Sequence, residues 1–372
     1  MSIFQTSKAH DLVMKLADQV AKDVLAPRAA DTDLGKAYPA ENLKVLFHTG
    51  LIGCHIPREF GGPQAESFTT VCALERLAAA CASTAMSTAA YTAAADAILA
   101  AGSAEQKQKY LPSFLQGNGI AMAHEEGASG VSPISVTAEK TESGYILTGQ
   151  KAYVGNFGNA TAYIVTGLVD GKLSAFLVDA DVSGLSFGAA ASKIGLCAYP
   201  AGQLILDKCA VSDNALLGGE GKADKVLCAY DNALRLYTAA ISVGLAQNAM
   251  DTAIEYVNQR IQFKQTIAKF QNTQYRAAEY YAQISAARAM VYMAAGKRDN
   301  GEDFAEDAAV AKLFASDTAA VTCKQCVQFM GGFGYTREYP AERMMRDGKA
   351  LQLFGGRNEK QKAFIAKSIG VC

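Results

Sequence analysis

The densest chemistry-bearing stretch of this 372-residue chain runs from Gln328 to Gln361, QFMGGFGYTREYPAERMMRDGKALQLFGGRNEKQ. It places the pair Gly331-Gly332 before the charged segment ERMMRDGK, and a second pair, Gly355-Gly356, after it. Glycine permits positive φ and close approach of backbone to a ligand, so paired turns between helices suit a bound cofactor. The plainer alternative is that each pair only ends a helix as a C-cap. Cys323 and Cys326 stand three apart just upstream on an alanine-rich helical stretch. No second ligand pair follows them, so they read as buried thiols and no metal site is expected.

The elements that must position this run fall into three blocks. Residues 1–118 read as helical: Leu12, Leu16, Val20 and Val24 recur at three-to-four spacing, and Pro27 marks the end of that helix. Ser103 with Gln106 forms a capping-box signature for a further helix. Residues 119–222 change period to two. Hairpin turns are expected at Ser143-Gly144 and Asp170-Gly171, and the block reads as antiparallel β. From 223 to 372 long helical segments return, at 223–260, 271–299 and 305–330 plus a final set, which fits a four-helix bundle. The fold class is α+β: an N-terminal helical domain, a central antiparallel β domain and a C-terminal helical bundle, whose flanking helices must cover the sheet.

Bulk properties narrow the function. The formal net charge is −1 with no basic run, which gives no attraction to nucleic acid or to an anionic membrane surface. No apolar stretch approaches the ~20 residues of a membrane span. The nine cysteines show no disulfide framework, so a reducing, cytoplasmic setting is expected.

Four segments in order resemble the acyl-CoA dehydrogenase flavoprotein family over nearly the whole chain. GSAEQKQKYLP at 102–112, GQKAYVGN at 149–156, RIQFKQTIAKFQNTQ at 260–274 and QFMGGFGYTREYPAERMMRDGK at 328–349 are each similar to a family motif. The resemblance implies FAD, an acyl thioester carried by CoA or a carrier protein, an acceptor such as electron-transfer flavoprotein, and a homotetramer. It places Arg260, Gln262, Phe263, Phe270, Gln271, Gln328, Gly331 and Gly332 at FAD, partly across a subunit boundary. A guanidinium fork at Arg260 suits a diphosphate. It also puts His124, Ser129, Tyr153, Gly155, Arg357 and Glu359 near the cofactor, and Asn232, Arg235 and Gly356 at the substrate. Arg235 could instead be a buried ion-pair partner of Asp231 or Glu255.

The chemistry implied requires a base for the α-proton, a flavin to take the β-hydride and donors to stabilise charge at the thioester carbonyl. Here the sequence departs from the family. Gly355 occupies the usual position of the catalytic glutamate, and Leu234 the alternative one. His124 replaces a hydroxyl residue, and Tyr153-Val154-Gly155 lacks the hydroxyl expected at flavin N5. Three readings remain open. The base has moved, with Asp96 the foremost candidate and Asp231, His124 and Glu125 the others. Or the reaction differs, as in oxidation of an α-hydroxy or amino acyl thioester. Or the chain is a non-catalytic or flavin-binding partner subunit in a hetero-oligomer.

Overall fold

A computed structural model describes residues 7–126 and 135–371. The first helical layer comprises α1 (Lys8–Val20), α2 (Ala26–Gly35), α3 (Ala40–His48), α4 (Ser67–Ala80), α5 (Ala82–Ala101) and α6 (Ala104–Leu115). Pro27 does not end the first helix. A π-helical turn over Ala21–Leu25 carries the chain straight from α1 into α2, where Pro27 sits in the first turn. Proline lacks the N–H that the continuous helix would use, and the π-helical turn lies directly before it, where the hydrogen-bond ladder is already interrupted. Ser103 and Gln106 form the expected capping box on α6, satisfying two otherwise orphaned N–H groups.

The central sheet holds β1 (Ile120–Ala123), β2 (Thr137–Thr141), β3 (Gly144–Gly155), β4 (Ala162–Val169), β5 (Lys172–Asp179), β6 (Leu185–Ala190), β7 (Ala201–Ser212) and β8 (Leu216–Leu217). Their order is β6-β7-β3-β2-β4-β5-β8, with β1 alongside β4. The sheet is not wholly antiparallel, because β1 pairs β4 in parallel. Such a pairing needs a long crossover, and the β2–β3 hairpin lies within it. That hairpin turns on Glu142-Ser143, with Gly144 already paired to Thr141. The β4–β5 hairpin turns at Asp170-Gly171 as the sequence predicts.

The last layer is α7 (Ala223–Gln259), the short pair β9 (Ile261–Gln262) and β10 (Gln265–Thr266), α8 (Gln271–Asp299), α9 (Ala305–Met330), α10 (Ala341–Leu351) and α11 (Asn358–Ser368). The middle of α7, from Ala233 to Ala246, is apolar on nearly every side and buried. A helix apolar all round must be enclosed, and α7 packs against α9, α4 and α5 together. The alanine-rich α5 is buried along almost its whole length for the same reason. Cys323 and Cys326 are buried free thiols on α9. Among the described residues no helix is long and apolar enough to cross a membrane.

Candidate active site

The end of α7, the β9–β10 pair and the first glycine turn bring the expected cofactor residues together. The Arg260 guanidinium lies 5.9 Å from the Phe333 ring centroid, beside Tyr256 and Tyr339. Phe263 and Lys264 form the two-residue turn between β9 and β10, both at positive φ (49° and 65°). Such a turn matches the strand twist but strains non-glycine residues. Phe263 is 88% exposed at its tip, with its ring edge-on to Phe270 at 6.4 Å. Gln271 Nε2 donates to Tyr275 Oη at 2.7 Å. Gln328 accepts the Gly331 N–H at the end of α9. Gly331 has φ +60°, and an added Cβ on Gly331 or Gly332 would meet nothing within 4 Å. These residues therefore form an open, aromatic, cationic surface.

A second cluster lies where the sheet meets α7 and α11. Tyr153 sits in the left-handed region (φ +52°) at a bulge between β3 and β7 and is 49% exposed. An aromatic held open by a strained backbone is a stacking platform in search of a planar ligand. A side chain on Gly155 would overlap the Tyr199 Oη. The Tyr199 Oη thus fills the space where a side chain at position 155 would begin, and its buried ring packs edge-on against Phe354 at 5.2 Å. Burial pushes the Tyr199 phenol up, so it stays a donor.

His124, just past β1, is part of a relay. Its Nδ1 lies 3.0 Å from Thr166 Oγ1, Lys151 Nζ donates to the same oxygen at 3.1 Å, and Lys151 also contacts Glu126. Burial lowers the His124 pKa against the opposing effect of Glu125 and Asp231, so the ring is neutral. Lys360 on α11 donates to Glu125 Oε1 at 2.8 Å and ties α11 to the sheet. Ser129 lies outside the described residues.

The second glycine turn has no room for an acid. Gly355 has φ +68°, and a Cβ there would overlap Thr238 Oγ1 of α7. Gln361 Nε2 donates to the Gly356 carbonyl at 2.9 Å and closes the turn. Beneath it Lys312, fully buried, donates to Asn358 Oδ1 (2.7 Å) and the Gln352 carbonyl (3.3 Å). Arg357 is half-buried with its Nε enclosed and unpartnered among the described residues, whereas Glu359 is exposed. Arg235 donates to Asn232 Oδ1 at 2.6 Å, and its guanidinium stacks on Phe364 at 4.5 Å. Neither Asp231 nor Glu255 takes its hydrogen bond. Leu234 offers no proton acceptor.

Asp96 is not free to act as the relocated base. Its carboxylate takes Arg298 Nη2 at 2.5 Å and Tyr237 Oη at 2.7 Å, with His55 Nε2 at 3.3 Å. Burial raises the carboxyl pKa, but these partners outweigh it and hold it below the usual range. A buried carboxylate neutralised this way is a structural ion-pair hub between α5, α7 and α8. The small-residue helix drew attention to Asp96, but nothing local in the sequence marks Arg298, 202 positions away, as its partner. Tyr199, Thr238, Lys360 and the Lys151–Thr166 relay also join the site. Of these only Lys151 had a sequence signal, from its place in GQKAYVGN.

Comparison with known proteins agrees with this geometry. The family models for the acyl-CoA dehydrogenase N-terminal and C-terminal domains match residues 7–118 and 232–370. The acryloyl-CoA reductase (NADH) of Anaerotignum propionicum is 32% identical, over 98% of this chain and 95% of that protein. The butyryl-CoA dehydrogenase structure from Megasphaera elsdenii superposes with TM-score 0.96 at 31% identity, covering 98% of this chain and 99% of the other. The prolyl acyl carrier protein oxidase AnaB gives TM-score 0.93 at 28% identity, covering 98% and 100%. The chain belongs to the acyl-CoA dehydrogenase family. Positions 355 and 234, where the sequence resemblance expects a base, hold Gly and Leu.

Proposed function

We propose that this protein is an FAD-dependent oxidoreductase acting on the Cα–Cβ bond of an acyl thioester carried by CoA or a carrier protein. The observation that carries this reading is the joining of Arg260, Phe333 and the open Gly331 turn into one surface at the head of the 328–361 run. The residues present fit the cofactor. Arg260, Gln262, Phe263, Phe270, Gln271, Gln328, Gly331 and Gly332 would hold its diphosphate and adenine half. Tyr153, Tyr199 and His124 would face the flavin, with Arg357 and Glu359 at its margin. When bound, the flavin supplies the two-electron chemistry. The chain's own groups orient the thioester through Asn232, Arg235 and Gly356, and Tyr199 and His124 offer fixed N–H and O–H donors.

Several finer statements belong to the same proposal. The chain divides functionally at about 118 and 222, where the element type changes. The 88%-exposed Phe263 and the open Gly331 turn are half-sites, which supports a homotetramer in which a second chain completes the FAD pocket. An electron-transfer flavoprotein or similar carrier exchanges the electrons, in a cytoplasmic setting. The likeness to an acryloyl-CoA reductase favours a short acyl group and raises the reductive direction as the second reading. Reconstitution tests the core of the proposal: apoprotein mixed with FAD and desalted should retain stoichiometric flavin, and Arg260→Ala should retain far less. A wild-type protein that emerges colourless would refute it.

A further inference from the structure

Four carboxylates, Asp96, Glu125, Glu126 and Asp231, differ in one respect. Glu125 is held by Lys360, and Glu126 by Lys151 and by Ser135 Oγ at 2.6 Å. Asp96 is held by Arg298 and Tyr237. Among the described residues Asp231 has no hydrogen bond and no ion pair, although its surroundings are crowded with charge. Burial raises its carboxyl above the usual range, countered in part by Arg235 on its own helix, His124 at the end of β1 and Lys360 on α11, with Glu125 pushing the same way as burial. Asp231 as a whole residue is nonetheless exposed, so a ligand can approach it.

Its position on α7 is equally specific. Asp231 and Thr238 are seven residues apart, which is within ~20° of two full turns and about 10.5 Å of rise on one helix face. Thr238 is the residue that a side chain on Gly355 would overlap. Asp231 therefore shares a face of α7 with Thr238, two turns (~10.5 Å) nearer the start of the helix.

We propose, on the flavoenzyme reading above, that Asp231 is the group that moves the substrate α-proton, with His124 as its positioning residue. In the oxidative direction the α C–H bond breaks and its proton forms the O–H bond of Asp231. The electron pair left on Cα becomes the new Cα=Cβ π bond as the β-hydrogen departs with its own pair to the bound flavin, the oxidant. In the reductive direction the same carboxyl returns the proton to Cα. Lys151 Nζ donates to Thr166 Oγ1, whose own proton is then available to His124 Nδ1. In that tautomer the ring presents Nε2–H as a donor for the Asp231 carboxylate or for the oxygen of a bound thioester.

The test uses the FAD-loaded protein under anaerobic conditions and the thioester, from a panel of short acyl-CoA compounds, that bleaches its flavin. Two readouts are followed: flavin reduction, and wash-in of solvent deuterium at Cα by NMR. Asp231→Asn should lower both at least ~100-fold with an unchanged thermal midpoint, the scale of a lost general base. Asp231→Glu should recover part of the exchange. The wild-type exchange should follow one ionisation above the usual carboxylate range, and His124→Gln should shift that ionisation. Asp231→Asn exchanging and reducing at the wild-type rate would overturn the assignment while leaving the flavoenzyme reading intact. If no thioester bleaches the oxidised flavin and no 2,3-enoyl thioester restores colour to the reduced flavin, that reading fails and the assignment with it.

Discussion

Replacing Asp96 separates a structural carboxylate from a catalytic one. The Asp96 side chain is 6% exposed and receives Arg298 and Tyr237 at 2.5 and 2.7 Å, with His55 at 3.3 Å. In Asp96→Asn the Arg298 guanidinium keeps a hydrogen-bond acceptor but loses its counter-charge in a buried setting. Breaking a buried pair from one side costs about 3–5 kcal/mol, and retention of the amide places the expected loss near ~3 kcal/mol. Asp96→Ala should lie at the upper end. The assay is urea unfolding followed by circular dichroism, with FAD and protein concentration held fixed. The pH dependence has a definite sign. Because the folded carboxyl is held below its ordinary value, its stabilisation is present above about pH 4 and is lost as pH falls through the folded value. The wild-type advantage over Asp96→Asn should therefore shrink on acidification. A variant as stable as wild type at pH 7, but unable to reduce its flavin, would refute the ion-pair assignment and restore Asp96 as a base.

Gly355→Ala combines left-handed φ strain of about 1–2 kcal/mol with overlap of Thr238, so it should destabilise the protein measurably in thermal melts. The double variant with Thr238→Ala should recover only part of the overlap, because Thr238 Cβ itself lies 2.8 Å from the added Cβ, and none of the strain. Burial depresses the Lys312 ammonium to about 7, below its unfolded value, so the unfolded chain binds more protons between pH 7 and 10 and stability should rise over that range. Lys312→Met should flatten the rise in pH-dependent urea titrations. Tyr199→Phe removes a hydroxyl that has no protein partner among the described residues. It should leave stability within about 1 kcal/mol of wild type while shifting the bound flavin's absorption spectrum. An unchanged spectrum would detach Tyr199 from the cofactor.

The fold was legible wherever period and punctuation were strong. The Ser103–Gln106 box, the Asp170-Gly171 turn and the limits of α8 and α9 are local, and they stand where the sequence puts them. Pro27 misled because a proline in a first turn and a proline after a last turn have the same local chemistry, and only the π-helical join distinguishes them. The parallel β1–β4 pairing was invisible because it joins strands about 40 residues apart through register rather than pattern. The site divides the same way. The first glycine turn could be read from its residues and Arg260 from the family resemblance, whereas the fate of each carboxylate depended on distant partners. Arg298 silences Asp96, Lys360 engages Glu125, and Asp231 has no hydrogen bond or ion pair among the described residues.

The central claim is that bound flavin and an acyl thioester exchange electrons in this protein despite the glycine at position 355. Anaerobic titration of the FAD-loaded protein with short acyl-CoA compounds tests it, with the titration repeated from the reduced flavin using 2,3-enoyl thioesters. The account expects bleaching by a saturated thioester, or recovery of colour with an enoyl one, at one equivalent per flavin. Flavin that stays unchanged in both directions with every thioester would contradict it.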